Sequence, residues 1–215
     1  MILKNLKELA IASGVAALSL WVSPSAEALT TLNITNPGGA IPSGGGFTDF
    51  SFNVSAPVGE FTTDVNLFID SLTHPSDLSN YEIYLRDPSG TALVLTLAEL
   101  ISGTSFADVT FDDSATTVLP GSGPYTGAYR PQGGSGGFGE VSNIASLAGF
   151  NGISPNGLWN LRIYNFDPAL DGALSPGGTD VTLTVTTAVP FEFSPVGGVA
   201  LLGAIWAVRK FRKRS

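Results

Sequence analysis

Apolar and polar residues alternate along three stretches of this chain. FTDFSFNVS, residues 47–55, sets Phe50, Phe52 and Val54 on one side and Asp49, Ser51 and Asn53 on the other. LWNLRIYN opposes Trp159, Leu161 and Ile163 to Asn160, Arg162 and Tyr164, and DVTLTVTT opposes Val181, Leu183 and Val185 to threonines. Successive side chains of a strand point to opposite faces, so a period of two predicts strands buried on one face. DVNLFID, NYEIYLRD, ALVLTLAEL and DVTFDD are predicted as further strands. Turn chemistry separates them. Asp87-Pro88-Ser89-Gly90 places proline at the second position of a tight turn. Asn156-Gly157 and Asp171-Gly172 are expected to supply backbone with φ > 0, and GGSGGFGE a flexible loop. About eight antiparallel strands over roughly 160 residues predict an all-β, jelly-roll β-sandwich.

Both ends break this pattern. Lys4 and Lys7 precede an apolar stretch, residues 9–22, then a Pro/Ser break and the small-x-small sequence Ala26-Glu27-Ala28. That order predicts a secretory signal peptide over 1–28, cleaved after Ala28. At the other end, residues 195–208 carry no charge and five basic residues follow within 209–214. Fourteen residues of helix span about 21 Å, against a hydrocarbon core of about 30 Å. Extending upstream meets Pro195, Glu192 and Pro190, all poor in a lipid-exposed helix. A short C-terminal hydrophobic helix is expected, with Arg209 and Lys210 snorkelling and the basic cluster on the cytoplasmic side. The organisation predicted is a leader (1–28), a β-sandwich body (29–188) and a C-terminal address (189–215).

Composition sharpens the picture. All acidic residues except Glu8, Glu27 and Glu192 lie in the body, with only Arg86, Arg130 and Arg162 opposing them, so the body carries about −12. Such a surface repels phosphate backbones, which argues against nucleic acid and favours cations. The chain has no cysteine, which excludes disulfides, thiolate metal sites and cysteine nucleophiles.

Two resemblances follow. Pro190-Phe191-Glu192-Phe193-Ser194-Pro195, then the apolar run, then the basic cluster, resembles a variant of the PEP-CTERM sorting signals, which carry Pro-Glu-Pro at this place. It implies an exosortase-type sorting enzyme as partner, with the helix holding the chain in the membrane at least during transit. Ala26, Ala28, Pro190, Glu192 and Pro195 are the expected processing residues. In the body, Asp77 and the Ile83-x-Leu85 strand lead into Asp87-Pro88-Ser89-Gly90-Thr91. Phe111-Asp112-Asp113-x-Ala115, Tyr129-Arg130-Pro131, and Asn156-Gly157-x-Trp159-x-Leu161 with Asp171-Gly172 follow in order. This series is similar to the P domain (P/Homo B) of kexin- and furin-like proprotein convertases. The likeness departs from the family at the inserted-looking LAELISGTSFA and at the polar SPGGTD, where members often place a second tryptophan. It implies a jelly roll that supports a subtilisin-type catalytic domain, which this sequence does not contain.

Candidate chemistry is sparse. His74 is the single histidine, set in THPSD near Asp70 and Asp77, so any Ser-His-Asp triad must use it; a turn or capping role is expected instead. Gly133-Gly134-Ser135-Gly136-Gly137 matches a nucleophile elbow by letters, but the strand–turn–helix setting that motif needs is not predicted around it. Asp112, Asp113, Asp167 and Asp171 flank turns and are the candidate calcium ligands, the alternative being backbone hydrogen bonding at strand ends. Tyr125, Tyr129 and Arg130 either face a partner or pack under their own loop. The expected function is that of an exported, non-catalytic P-domain module at the cell surface or outside the cell, with a binding or stabilising role toward a surface matrix component. The alternative is an accessory subunit of a separate subtilisin-like peptidase.

Overall fold

The computed structural model describes residues 29–98, 100–134, 140–177 and 180–189. The expected leader, the sorting motif from Pro190 and the C-terminal helix lie outside them, as does Ser135. In chain order the strands are β1 (Leu29–Asn36), β2 (Gly39–Ile41), β3 (Phe47–Val54), β4 (Phe61–Thr73), β5 (Tyr81–Arg86), β6 (Ala92–Thr96), β7 (Ser105–Phe111), β8 (Tyr125–Tyr129), β9 (Gly157–Asn165), β10 (Gly172–Leu174) and β11 (Val181–Ala188). Two 3-10 turns, Leu78–Asn80 and Leu147–Phe150, are the helical elements among the described residues. The chain is an all-β sandwich. One sheet runs β3-β9-β5-β6; the other is built on β4, with β11 then β1 along one side, β10 then β2 further along that side, and β7 then β8 on the other. Pairing is antiparallel throughout except between β7 and β8.

The period of two holds where it was read. Phe52, Trp159, Leu161 and Ile163 of one sheet and Val181, Leu183 and Val185 of the other, beside Leu67 and Ile69 of β4, are fully buried between the sheets. Each such side chain contributes about 1.5–3 kcal/mol relative to exposure, and Trp159 also donates its indole N–H to the Pro155 carbonyl at 2.9 Å. The strands number eleven rather than about eight. β2 and β10 are three residues long, and β8 has a glycine at its centre and is mostly exposed. β1 carries threonine and asparagine at all but three positions.

One irregularity reverses a face. The ladder between β11 and β4 shifts at Thr186/Thr187, so Asp64 pairs with Thr186 but Thr62 pairs with Thr187. Thr63 is the extra residue of this bulge, and its hydroxyl donates to the Thr186 carbonyl at 3.1 Å. Beyond it the alternation inverts: Thr62 is buried and Phe61 is turned out, 41% exposed. Segment 150–158 closes over this corner, with Thr62 N–H donating to Ile153 O at 2.9 Å and Gly152 N–H to Thr62 O at 2.8 Å.

Candidate functional site

The loops between β4 and β5 and between β9 and β10 meet at one end of the sandwich, and His74 lies beneath them, 1% exposed. Its Nδ1 accepts the backbone N–H of Ser76 (3.2 Å) and of Asp77 (3.1 Å) and stands 3.1 Å from the Ser76 hydroxyl. A ring nitrogen that receives two N–H donors presents its lone pair to them, so the remaining proton sits on Nε2. Nε2 lies 3.9 Å from Asp167 Oδ2, beyond hydrogen-bonding reach. The ring packs edge-on against Tyr81, centroids 4.9 Å apart.

Ser76, His74 and Asp167 therefore form a serine–imidazole–carboxylate group from residues 91 positions apart, with Asp167 in the place where the sequence offered Asp70 and Asp77. The connections are those of a turn. The nitrogen beside the hydroxyl is already occupied by two backbone donors. Ser76 Oγ also accepts from Asn80 Nδ2 at 3.2 Å, and Asp167 Oδ1 accepts the N–H groups of Ala169 and Leu170 at 2.9 Å each. Asp77 works similarly, accepting from Ser79 N–H at 2.7 Å and Gly103 N–H at 3.2 Å.

These bonds set the electrostatics. The Ala169 and Leu170 N–H groups hold the Asp167 carboxyl below the usual carboxylate range, and Ser43 N–H does the same for Asp171. For Asp77, partial burial pushes upward but the Ser79 and Gly103 N–H groups outweigh it, and its pKa is lowered. Asp64 goes the other way, raised by burial first and by the neighbouring charge of Asp112 next.

Asp112 and Asp113 stand beside β4, in the turn that leaves β7. Asp112 Oδ1 accepts from Ser114 N–H at 2.6 Å. Asp113 reaches across to the 3-10 turn Leu147–Phe150, whose own cap residue Ser146 makes no side-chain cap bond. It accepts Leu147 N–H at 3.1 Å and Ala148 N–H at 2.7 Å. Each of the four candidate calcium ligands thus accepts at least one backbone N–H. Among the described residues, no group of three or more His, Asp or Glu side chains is placed to hold a metal ion.

The aromatic candidates divide. Tyr125 is 1% exposed and packs under its own loop, its hydroxyl accepting Ser102 N–H and donating to Ser102 O. Tyr129 is partly buried, its hydroxyl on the Thr126 carbonyl. Sequence reasoning did not reach the ionic centre on the outer face of the β3-β9-β5-β6 sheet. There Arg162 grips Asp49 with two nitrogens (2.7 and 2.9 Å), reaches Glu140 with the third (2.6 Å) and lies 4.8 Å from the Phe47 ring centroid. The strand pairing of Asp49 with Arg162 follows from register, but Glu140 arrives from the glycine-rich loop, where no periodicity leads to it. In comparisons with protein-family models and with curated proteins, nothing matches the chain.

Proposed function

We propose that this chain is an exported, non-catalytic β-sandwich of P-domain type, acting at the cell surface or outside the cell by binding or stabilising another molecule. The observation that carries this reading is the state of His74. A general base must offer a free lone pair to the proton it takes, and the one histidine of the chain spends its Nδ1 lone pair on the Ser76 and Asp77 backbone while buried beneath two loops. The P-domain assignment rests on the ordered motifs from Asp77 to Gly172, and delivery to the exterior rests on the leader and the sorting motif around Glu192.

Fractionation of the native host with intact-mass analysis tests the export half. The expected product is found outside the cytoplasm, begins at Leu29 and ends within 190–195; a cytoplasmic product beginning at Met1 overturns it. Hydrolysis of peptide substrates by the purified chain, whether or not it survives His74→Ala, overturns the non-catalytic half. A subtilisin-type endopeptidase whose turnover depends on the chain would make it an accessory subunit instead.

A further inference from the structure

Of the nine large apolar side chains left exposed among the described residues, five gather at one end of the sandwich, opposite His74. Leu29, Val58, Phe61, Leu158 and Val189 are there, from 41% to 100% exposed. Strand pairing brings them together: Leu29 and Phe61 are both cross-strand partners of Ala188, and Leu158 pairs with Asn53 at the end of β3, from which the loop bearing Val58 leads to Phe61. Phe61, Gly152, Ala188 and Val189, with Thr62, Thr63 and Asn151, line a shallow hollow of about 500 Å³. Phe61 faces out because the bulge at Thr63 inverts the strand, so its exposure is built into the backbone.

The segments that form this end carry little charge. Segments 29–31, 55–63, 150–158 and 187–189 contain a single charged residue, Glu60. Its carboxylate is folded inward, accepting from the hydroxyls of Thr30 and Thr187, and it is 8% exposed. On a body of about −12 these segments present no exposed carboxylate to an anionic headgroup layer, although Asp64 follows directly on Thr63 at their edge. The chain leaves from this spot: only residues 190–194 separate Val189 from the uncharged run 195–208 and its basic cluster, a tether of at most about 20 Å.

We propose that, while residues 195–208 are still attached, this end rests on the bilayer interface, with Val58 and Phe61 partitioned among the headgroups. The inference rests on reading 195–208 as a membrane segment. It adds to anchoring a fixed orientation, with the acidic turns around Asp77, Asp167 and Asp171 held away from the lipid.

The absence of cysteine allows unique labelling. Val58→Cys and Leu170→Cys each take one environment-sensitive fluorophore; Leu170 is 40% exposed at the far end. The full chain is reconstituted in vesicles of phosphatidylethanolamine and phosphatidylglycerol carrying lipid-borne nitroxide. The label at 58 is expected to shift blue and be quenched, and the label at 170 to do neither. Phe61→Ser, at an exposed position, is expected to weaken the seating by about tenfold, read as loss of most of the quenching at 58. A chain that floats with the vesicles while label 58 behaves as in water overturns the inference and leaves anchoring intact. A chain that does not float overturns both. A blue shift at 58 that is insensitive to the nitroxide and grows with protein concentration assigns the surface to a second copy, and also overturns it.

Discussion

Gly172 offers the sharpest test of how closely the two sheets are fitted. In sequence, Asp171-Gly172 reads as a turn that needs φ > 0, but Gly172 is not among the glycines with positive φ. It is a strand residue in β10, and its Cα lies beneath the Tyr81 side chain. A methyl at this position would sit on the Tyr81 hydroxyl oxygen, 2.6 Å from the Thr73 carbonyl oxygen and 2.8 Å from Tyr81 Cζ. Gly172→Ala must therefore push out a fully buried tyrosine and break its 3.1 Å bond to Thr73 O. The lost hydrogen bond is worth about 1 kcal/mol and the overpacking about 1–3 kcal/mol. A loss of about 2–4 kcal/mol lowers the Tm by about 5–15 °C at this size. Thermal and urea unfolding of the wild type and Gly172→Ala measure it, with Gly177→Ala, which meets nothing within 4 Å, expected to be neutral. The choice between crowding and φ is made by Gly172→Asn. If the turn reading were right, asparagine would be tolerated better than alanine; crowding makes it worse. A milder asparagine variant, or an alanine variant within about 0.5 kcal/mol of wild type, would refute the steric account.

Asp113→Ala strips the 3-10 turn Leu147–Phe150 of its remote cap and should cost about 1–2 kcal/mol in urea unfolding, with only part of it recovered by Asp113→Asn, whose single carbonyl oxygen can serve one of the two N–H groups. Acid should destabilise the sandwich: Asp77, Asp167 and Asp171 have lowered folded-state pKa values, so their contribution is complete above the unfolded carboxylate range and disappears as pH falls through the lower folded values. Asp64 is raised and has the opposite sign, so Asp64→Asn is expected to raise the Tm at pH 7, with the gain shrinking as both forms become neutral below about pH 4. Millimolar calcium is expected to leave the Tm within about 1 °C, because the backbone already occupies the candidate carboxylates; a rise of several degrees that Asp167→Asn or Asp113→Asn abolishes would assign the ion.

What could be read from the sequence was whatever depends on one face of one strand. Trp159, Leu161 and Ile163 declared themselves because β9 has core on one side and polar cover on the other. In β5 the first five of six residues are buried, since both of its faces are covered, and alternation there carries no information. The bulge at Thr63 left no mark, so Phe61 would have been placed inside with Val65. At His74 the local partners were legible, because Ser76 and Asp77 are close in sequence; Asp167 was not, because its position depends on how the β9–β10 loop folds back over the β4–β5 turn. The carboxylates were recognisable as turn residues, but Asp113 serves a turn 34 residues downstream, which no spacing rule supplies.

The pairing of β1 with β11, from Leu29 opposite Ala188 to Asn36 opposite Val181, makes the first strand of the body wait for the last. No amino-terminal portion can complete its sheet while the carboxy-terminal portion is still being made, and contacts spanning so much of the chain form slowly. For a polypeptide threaded through a translocation pore from its amino end, the delay keeps the whole length pliable during passage. If the chain is exported as proposed, closure of the sandwich becomes an event of the far side.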